Sequence, residues 1–224
     1  MRLEEAKVRL DAVVGRPFRE ILNESNSDLI IDKGRAGKAL EIVLGLENSS
    51  RALDFENGEL KSNKCDRHGD PLETVFIAQI SSAIDDMLAM RPFEETHLCE
   101  KIKNILYVPV CKADGPNRPI PPSERTFLPC IHVNLSEPRF SPLMEIWKSD
   151  YYSICQQLKE HIETKPDGFI HTSNGRHIQV RSKDSKPYHP IFSQVYGKYV
   201  SDKNHAFYFQ KQFVYDIRRL AGVR

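Results

Sequence analysis

The chain has 224 residues, enough for one large domain or two small lobes with a substantial core. Lys and Arg number 32 against 31 Asp and Glu, so the net charge is +1 and the strong basic excess of many nucleic-acid binders is absent. The five cysteines are scattered without a CxxC pair, which argues against a zinc ribbon or a disulfide framework and predicts free thiols. The chain shows neither a signal-peptide pattern nor an apolar run of about 20 residues, so we expect a cytoplasmic protein without a membrane span.

The first half of the chain begins with helical signals and then changes to strand signals. Apolar residues at helical spacing predict a helix over Leu3–Leu22, broken around Gly15–Pro17, and another over Lys38–Leu44. Asp54–Gly58 contains an Asn-Gly turn signal and leads into a strand that begins at Glu59. The elements predicted after it are strands at Glu73–Ile80, Ile105–Val110 and Phe127–Val133 and a helix at Thr96–Ile102.

The second half is predicted to contain a long helix between groups of short strands. The proline-rich segment Cys111–Glu124 is predicted to be an exposed loop, and Met144–Ile162 a helix that packs as a scaffold. The later elements are predicted strands at Phe169–Thr172, His177–Arg181 and Ala206–Gln210 and a closing helix at Val214–Leu220. This order predicts an α/β (α+β mixed) fold, a mixed β-sheet flanked by helices, within a single domain over residues 1–224.

Asp54, Glu59 and Lys61 have the D-x(n)-E-x-K spacing of a nuclease metal site. Residues two apart in a strand point to the same face, so Glu59 and Lys61 should project together, with Asp54 beside them from the preceding turn. Two carboxylates suit Mg²⁺, which activates a water and polarises a phosphate, and a lysine can stabilise the developing charge. A solvated strand face with an ion pair has the same spacing, so the motif needs support from its surroundings.

The flanking residues supply that support. Leu60, between Glu59 and Lys61, should point into the core. Glu41 stands among apolar residues on the preceding helix, where an unpaired carboxylate would be costly, and offers a third acid. We therefore expect a metal-dependent catalytic site.

Four ordered blocks resemble the MutH-type endonucleases, which include a mismatch-repair nicking enzyme and GATC-cutting restriction enzymes. The blocks are DKGRAGKALEIVLG (Asp32–Gly45), DFENGELK (Asp54–Lys61), GDPLETVF (Gly69–Phe76) and KIKNILYVPV (Lys101–Val110). The resemblance implies a restriction-endonuclease-like PD-(D/E)xK core and two lobes with a DNA cleft, residues 1–110 being mainly catalytic and 111–224 mainly for DNA recognition.

The resemblance also implies roles for individual residues. Asp54 and Glu59 would bind Mg²⁺ and, with Lys61, carry catalysis. The further catalytic residues implied are Glu41 and Lys101. The residues implied to contact or check DNA are Lys33 and Glu73 in the first half, with Arg181 reaching a base edge and Tyr208 sensing the state of the target adenine.

Residues 183–204 interleave cations with aromatic side chains and have no counterpart in the repair enzyme. One interpretation is a DNA-contacting loop, with Lys183, Lys186 and Tyr188 at the DNA; the alternative is a solvated surface loop. This segment favours a type II restriction endonuclease that cuts both strands of double-stranded DNA. The alternatives are a repair nickase that acts at hemimethylated sites with a MutL-type partner, and a catalytically inactive DNA-binding module. The sequence leaves open whether the chain is a monomer or a homodimer.

Overall fold

The computed structural model of the chain describes residues 1–22, 36–46, 53–115 and 118–223. Helices and strands are mixed along these residues, so the predicted α/β class is confirmed. The chain divides into two compact units. The first comprises Met1–Thr74, Lys103–Asn134 and Val214–Arg224, and the second comprises Val75–Ile102 and Leu135–Phe213. Both units therefore contain residues from each side of position 110, where the sequence predicts the boundary between two lobes.

The helices of the described residues follow the predicted order, with additional short ones. They are α1 (Leu3–Asp11), α2 (Phe18–Ile21), α3 (Ala36–Leu44), α4 (Ile84–Leu88), α5 (His97–Ile102), α6 (Pro142–Thr164) and α7 (Lys211–Leu220), with 3₁₀ turns at Phe93–Glu95 and Pro122–Glu124. The strands are β1 (Glu59–Asp66), β2 (Val75–Gln79), β3 (Asn104–Ala113), β4 (Thr126–Phe127), β5 (Ile131–Asn134), β6 (Ser173–Asn174), β7 (Ile178–Ser182), β8 (Ile191–Ser193), β9 (Lys198–Ser201) and β10 (His205–Phe209). Among these helices, none is long and apolar enough to cross a membrane.

The sheet of the first unit is built around β3, which pairs parallel with β1 and antiparallel with β4 and β5. β3 is buried along most of its length, as expected for a strand covered on both faces. On one face, Leu106 and Val108 of β3 pack with Leu3 and Leu10 of α1 and Leu40 of α3. This apolar core supports β1, whose opposite face carries the candidate catalytic residues.

The second unit contains an antiparallel sheet in the order β2-β10-β7-β6, and helix α6 packs against β6 and β7. The buried residues of α6 recur every three or four positions, from Leu143 through Trp147 to Ile162, so one stripe of the helix is buried. Trp147 packs its ring against Phe209 of β10, and Phe209 stacks on Phe213 with ring centres 3.8 Å apart. One face of this sheet is therefore buried beneath aromatic side chains.

Four sequence predictions differ from the structure. The strand predicted at Phe127–Val133 is interrupted, because β4 ends at Phe127 and β5 begins at Ile131. The strand predicted at Phe169–Thr172 is wrong: the segment makes a main-chain bond from Ile170 N to Val200 O but no strand ladder. The loop predicted from Cys111 begins later, because β3 continues through Ala113. The segment 183–204 is not wholly a loop, since β8 and β9 pair as a hairpin whose turn includes Gly197 at a φ of +62°. All five cysteines are free thiols, as predicted.

Candidate functional site

Glu59 and Lys61 lie side by side on strand β1, as the alternation of a strand predicts. Lys61 Nζ donates a hydrogen bond of 2.7 Å to Glu59 Oε1. Both side chains are almost fully buried, with 3% of Glu59 and 8% of Lys61 exposed. Leu60 packs against the apolar core on the other face, as predicted, so β1 is covered on both faces. A solvated strand face, the alternative interpretation of the motif, is therefore excluded for this pair.

Asp54 is held against the beginning of β1 by two hydrogen bonds. Leu60 N donates to Asp54 Oδ2 at 2.9 Å, and Asp54 N donates to Glu59 Oε2 at 3.3 Å. The structure thus brings together the three residues of the motif, which we call the acid–lysine cluster (Asp54, Glu59 and Lys61). Their two carboxylates could hold a hard divalent cation, because Mg²⁺ needs only one or two carboxylates beside water and phosphate oxygens.

The turn before Glu59 requires glycine at position 58. A Cβ atom at Gly58 would lie 2.7 Å from Asn104 O and 2.8 Å from Leu3 Cδ1, both closer than a real contact permits. The turn closes with a 2.9 Å bond from Phe55 N to Gly58 O, and Asn104 Nδ2 donates to Asn57 O. Asn104, the first residue of β3, therefore holds in place the turn between Asp54 and Glu59.

Two further residues on the buried face of β1 and β3 escaped the sequence reasoning. Tyr107, which stands beside Lys61 in the register, is fully buried, and its hydroxyl donates to Asn63 Oδ1. Burial raises the pKa of Tyr107 far above its usual 10.0, so it remains a neutral donor. Asn63 Nδ2 in turn donates to Glu73 O at 3.0 Å. The strand alternation from Glu59 through Lys61 to Asn63 was the signal that could have found Asn63.

The other acids predicted for this region have different surroundings. Glu41 is half-buried on α3, a helix that packs against β1. Glu73 is exposed, and its carboxylate accepts bonds from the main-chain N and the side-chain Nζ of Lys64, at 3.2 and 3.3 Å. Within the described part of the chain, no group of three or more His, Cys, Asp or Glu side chains is arranged for a metal ion.

The remaining catalytic and DNA-contact predictions fall elsewhere. Lys101 belongs to the second unit, where it is half-buried in α5. Lys33 lies outside the described residues.

The second unit brings together two residues predicted to read DNA. Arg181 on β7 places its guanidinium carbon 4.1 Å from the centre of the Tyr208 ring on β10, a cation–π arrangement. Phe76 on β2 meets Tyr208 edge-on at 5.6 Å, and Lys183 Nζ lies 5.9 Å from the Phe76 ring centre. We call this surface the Arg181 face (Phe76, Arg181, Lys183 and Tyr208). Phe76 was not singled out from the sequence, although its block was.

Lys186 and Tyr188 are exposed in the segment that joins β7 to β8. The carboxylate of Asp184 shapes this segment by accepting main-chain bonds from Asn204 at 2.8 Å and from His189 at 2.7 Å. These bonds, with that from the His189 ring, hold the pKa of Asp184 well below its usual 3.8. The segment is therefore tied to the start of β10 while Lys186 and Tyr188 stay open to solvent.

Comparison with known proteins places the chain beside one group of relatives. It is 27% identical over 217 residues to the DNA mismatch repair protein MutH of Buchnera aphidicola subsp. Baizongia pistaciae, with 92% of each chain covered. It is 32% identical over 175 residues to the protein of the same name from Histophilus somni strain 2336, covering 71% of this chain and 75% of the relative. The Salmonella paratyphi A protein of that name is 39% identical over 101 residues, 44% of this chain and 41% of the relative. No family model matches the chain.

Proposed function

The chain belongs to the MutH family of DNA mismatch repair proteins, and we propose that it is a Mg²⁺-dependent DNA endonuclease of the PD-(D/E)xK type. The observation that carries the proposal is the buried Glu59–Lys61 pair with Asp54 bound beside it. A buried charged pair on a strand contributes little to stability compared with apolar packing, so its presence favours a chemical role.

We expect a strand-nicking repair enzyme that acts at hemimethylated sites rather than a restriction enzyme. The sequence favoured restriction because of residues 183–204, but the relatives over most of the chain carry the mismatch repair name. A MutL-type protein is the partner that this assignment implies, and double-stranded DNA is the substrate.

The acid–lysine cluster fits Mg²⁺ by the chemistry of its donors. Asp54 and Glu59 provide carboxylate oxygens within one hydrogen-bonded turn and would hold Mg²⁺, which binds proteins through one or two carboxylates beside waters and phosphate oxygens. When bound, the metal would polarise the scissile phosphate and lower the pKa of a water. Glu41, on the helix packed against β1, is proposed as an additional acid of the site.

The protein side chains have separate tasks in this mechanism. Lys61 is close enough to Glu59 to be oriented by it, and its ammonium would stabilise negative charge that develops on the phosphate. Tyr107 and Asn63 stiffen the same face of the sheet through their mutual hydrogen bond. Lys101 is proposed as a second catalytic lysine.

DNA recognition is assigned to the second unit, with contributions from the first. Arg181 would donate a bidentate pair of bonds to guanine O6 and N7, the commonest specific contact in the major groove. Tyr208, which supports Arg181, would sense the methylation state of the adenine. The other residues proposed to contact the DNA are Lys33, Glu73, Lys183, Lys186 and Tyr188.

The proposal is tested by cleavage of supercoiled plasmid DNA prepared in unmethylated, hemimethylated and fully methylated forms. We expect Mg²⁺-dependent nicked circles that increase with a MutL-type partner, and no cleavage by Asp54→Asn. Lys7→Ala, which removes a solvent-exposed lysine of helix α1 that pairs with Asp11 at 2.7 Å, is the control and should cleave normally.

Three other outcomes would change the assignment. Rapid linearisation without a partner would favour a restriction enzyme. Tight DNA binding with no cleavage under any condition would indicate an inactive binding module. Equal cleavage by wild type and Asp54→Asn would show that the acid–lysine cluster is not the metal site.

A further inference from the structure

The beginning of strand β7 is anchored by the buried carboxylate of Asp150 on helix α6. Asp150 Oδ1 accepts a bond from Arg176 N at 2.7 Å, while Oδ2 accepts bonds from His177 N at 2.7 Å and Ile178 N at 2.9 Å. Only 5% of Asp150 is exposed. Three consecutive main-chain donors are thus directed at a single carboxylate, which fixes their positions along the chain because charge-assisted bonds are short and strong.

Gly175 leaves the space in which this carboxylate sits. A Cβ atom at position 175 would lie 2.3 Å from Asp150 Cγ and 2.4 Å from Asp150 Oδ1. Both atoms belong to the carboxylate that three main-chain donors hold, so any side chain at position 175 would displace this carboxylate from its donors. The carbonyl of Gly175 also accepts a bond from Gln210 Nε2, which ties the same turn to the end of β10.

Helix α6 contacts this turn at a second point. Trp147, one turn before Asp150, donates from Nε1 to Nδ1 of the fully buried His177 at 3.3 Å. Trp147 is the single tryptophan of the chain, so its fluorescence reports on the turn. The long helix, which the sequence predicts to be a packing scaffold, therefore also holds one end of a strand.

The register of β7 decides which face Arg181 occupies. Gln179 and Arg181 lie on the side of Tyr208, whereas Ile178 and Val180 are fully buried. Because successive residues of a strand point to opposite faces, a slip of one residue would bury Arg181 and present an apolar side chain in its place. The anchor ends at Ile178, three residues before Arg181, and so opposes such a slip.

We propose that Asp150, seated in the space beside Gly175, is a positioning residue for DNA recognition: it sets the register of β7 and with it the direction of Arg181. The proposal rests on the assignment of Arg181 to DNA reading. Asp150 touches no DNA in this scheme and acts through the strand alone.

The test uses a pool of random-sequence duplexes with Ca²⁺ in place of Mg²⁺, so that binding is measured without cleavage. Bound duplexes are sequenced for wild type and Asp150→Asn. An amide nitrogen cannot accept hydrogen bonds, so at least one main-chain donor loses its partner. We expect enrichment of the preferred sequence to fall roughly 5- to 150-fold, the range for loss of a bidentate base contact. Total affinity for DNA at low salt should change less than about threefold, because phosphate contacts dominate it.

Two further variants separate positioning from general destabilisation. Asp66→Asn removes a carboxylate that accepts main-chain bonds from His68 and Asp70, both 2.9 Å, in the first unit. It should destabilise the fold without altering the enriched sequence. Gln210→Ala removes only the bond to the Gly175 carbonyl, so it should lower enrichment partially. This variant keeps the test decisive if Asp150→Asn does not fold. Melting curves and Trp147 fluorescence show whether each variant is folded.

The proposal is overturned if folded Asp150→Asn and Gln210→Ala select the same sequence as strongly as wild type, or if wild type selects no sequence. Failure of the endonuclease assignment is recognised separately. In that case wild type would enrich a sequence in Ca²⁺ yet leave plasmid DNA intact in Mg²⁺, and the role of Asp150 would stand.

Discussion

The acid–lysine cluster of the first unit and the Arg181 face of the second unit each place a basic side chain on a β-sheet, but in different surroundings. Lys61 is buried and bonded to a carboxylate at 2.7 Å, whereas Arg181 is half-buried and lies over an aromatic ring at 4.1 Å. Removing one partner of a buried ion pair leaves an uncompensated charge, while a cation on a ring near the surface is worth much less. The proposed catalytic site should therefore tolerate substitution poorly, whereas the proposed recognition face should accept substitutions with a smaller loss of stability.

The largest expected effect is at Lys61. Lys61→Met should reduce DNA cleavage by at least about 100-fold, since a charge-stabilising donor is lost. It should also lower the free energy of unfolding by about 3–5 kcal/mol, the usual cost of removing one partner of a buried ion pair. The double variant Glu59→Gln/Lys61→Met should recover most of the stability without recovering cleavage. Urea denaturation and plasmid cleavage measure the two effects.

Lys64→Met is the matched control for that experiment. Lys64 pairs with Glu73 at 3.3 Å on a more exposed part of the same strand. Its loss should cost less than about 1 kcal/mol, as for other exposed pairs. An equal loss of stability at both lysines would contradict the contrast between a buried and an exposed pair.

The next largest effect is expected at the turn before the cluster. Gly58→Ala introduces a methyl group 2.7 Å from Asn104 O, so the turn must shift and move Glu59 with it. We expect a loss of about 1–3 kcal/mol in stability, the usual cost of overpacking, and a fall in cleavage beyond that explained by unfolded protein. Gly37→Ala is the control and should retain full cleavage, because among the described residues no atom outside its own helix backbone and chain neighbours lies within 4 Å of the added Cβ. Unchanged kinetics in folded Gly58→Ala would separate this turn from catalysis.

A smaller effect is expected on the Arg181 face. Tyr208→Leu removes the ring beneath Arg181, and a cation–π contact is worth about 0.5–2 kcal/mol, or roughly a 2- to 30-fold loss of affinity for the preferred duplex. Tyr208→Phe keeps the ring and should retain affinity. Titrations with methylated and unmethylated duplexes would show whether the hydroxyl has a separate role. If Phe and Leu behave alike, the ring does not support Arg181.

The smallest expected effect concerns pH and the histidines of the second unit. Burial lowers the pKa of His205, and that of His161, below the ordinary 6.5. The folded state therefore favours the neutral ring. The free energy of unfolding keeps its full contribution from this preference above about pH 6.5, and loses it as the pH falls from 6.5 through the lowered pKa of the folded state. Melting temperatures between pH 8 and 5 should fall less steeply for His205→Gln than for wild type. His68→Gln, at an exposed turn, should follow the wild-type curve.

Local patterns predicted much of the fold because they depend on neighbours a few residues away. The helix predicted at Met144–Ile162 is present as Pro142–Thr164, since its apolar stripe recurs at helical spacing. The strand predicted at Phe169–Thr172 failed because a strand needs a partner along its length, and alternation alone does not supply one. The β8–β9 hairpin was not predicted, because its charged and aromatic residues lack a clear strand pattern. These two short strands form because each provides the other with a partner.

For the candidate site, too, some features could be predicted from the sequence and others depend on the tertiary structure. By itself, the sequence determined the residue types and the spacing that puts Glu59 and Lys61 on one side of a strand. Tertiary structure alone decided that both are buried, that Tyr107 bonds to Asn63 across 44 positions, and that Asp150 anchors a turn 26 to 28 residues away. The physical reason is that side-chain direction follows from local backbone geometry, whereas burial and bonding partners are set by residues that are distant in the chain.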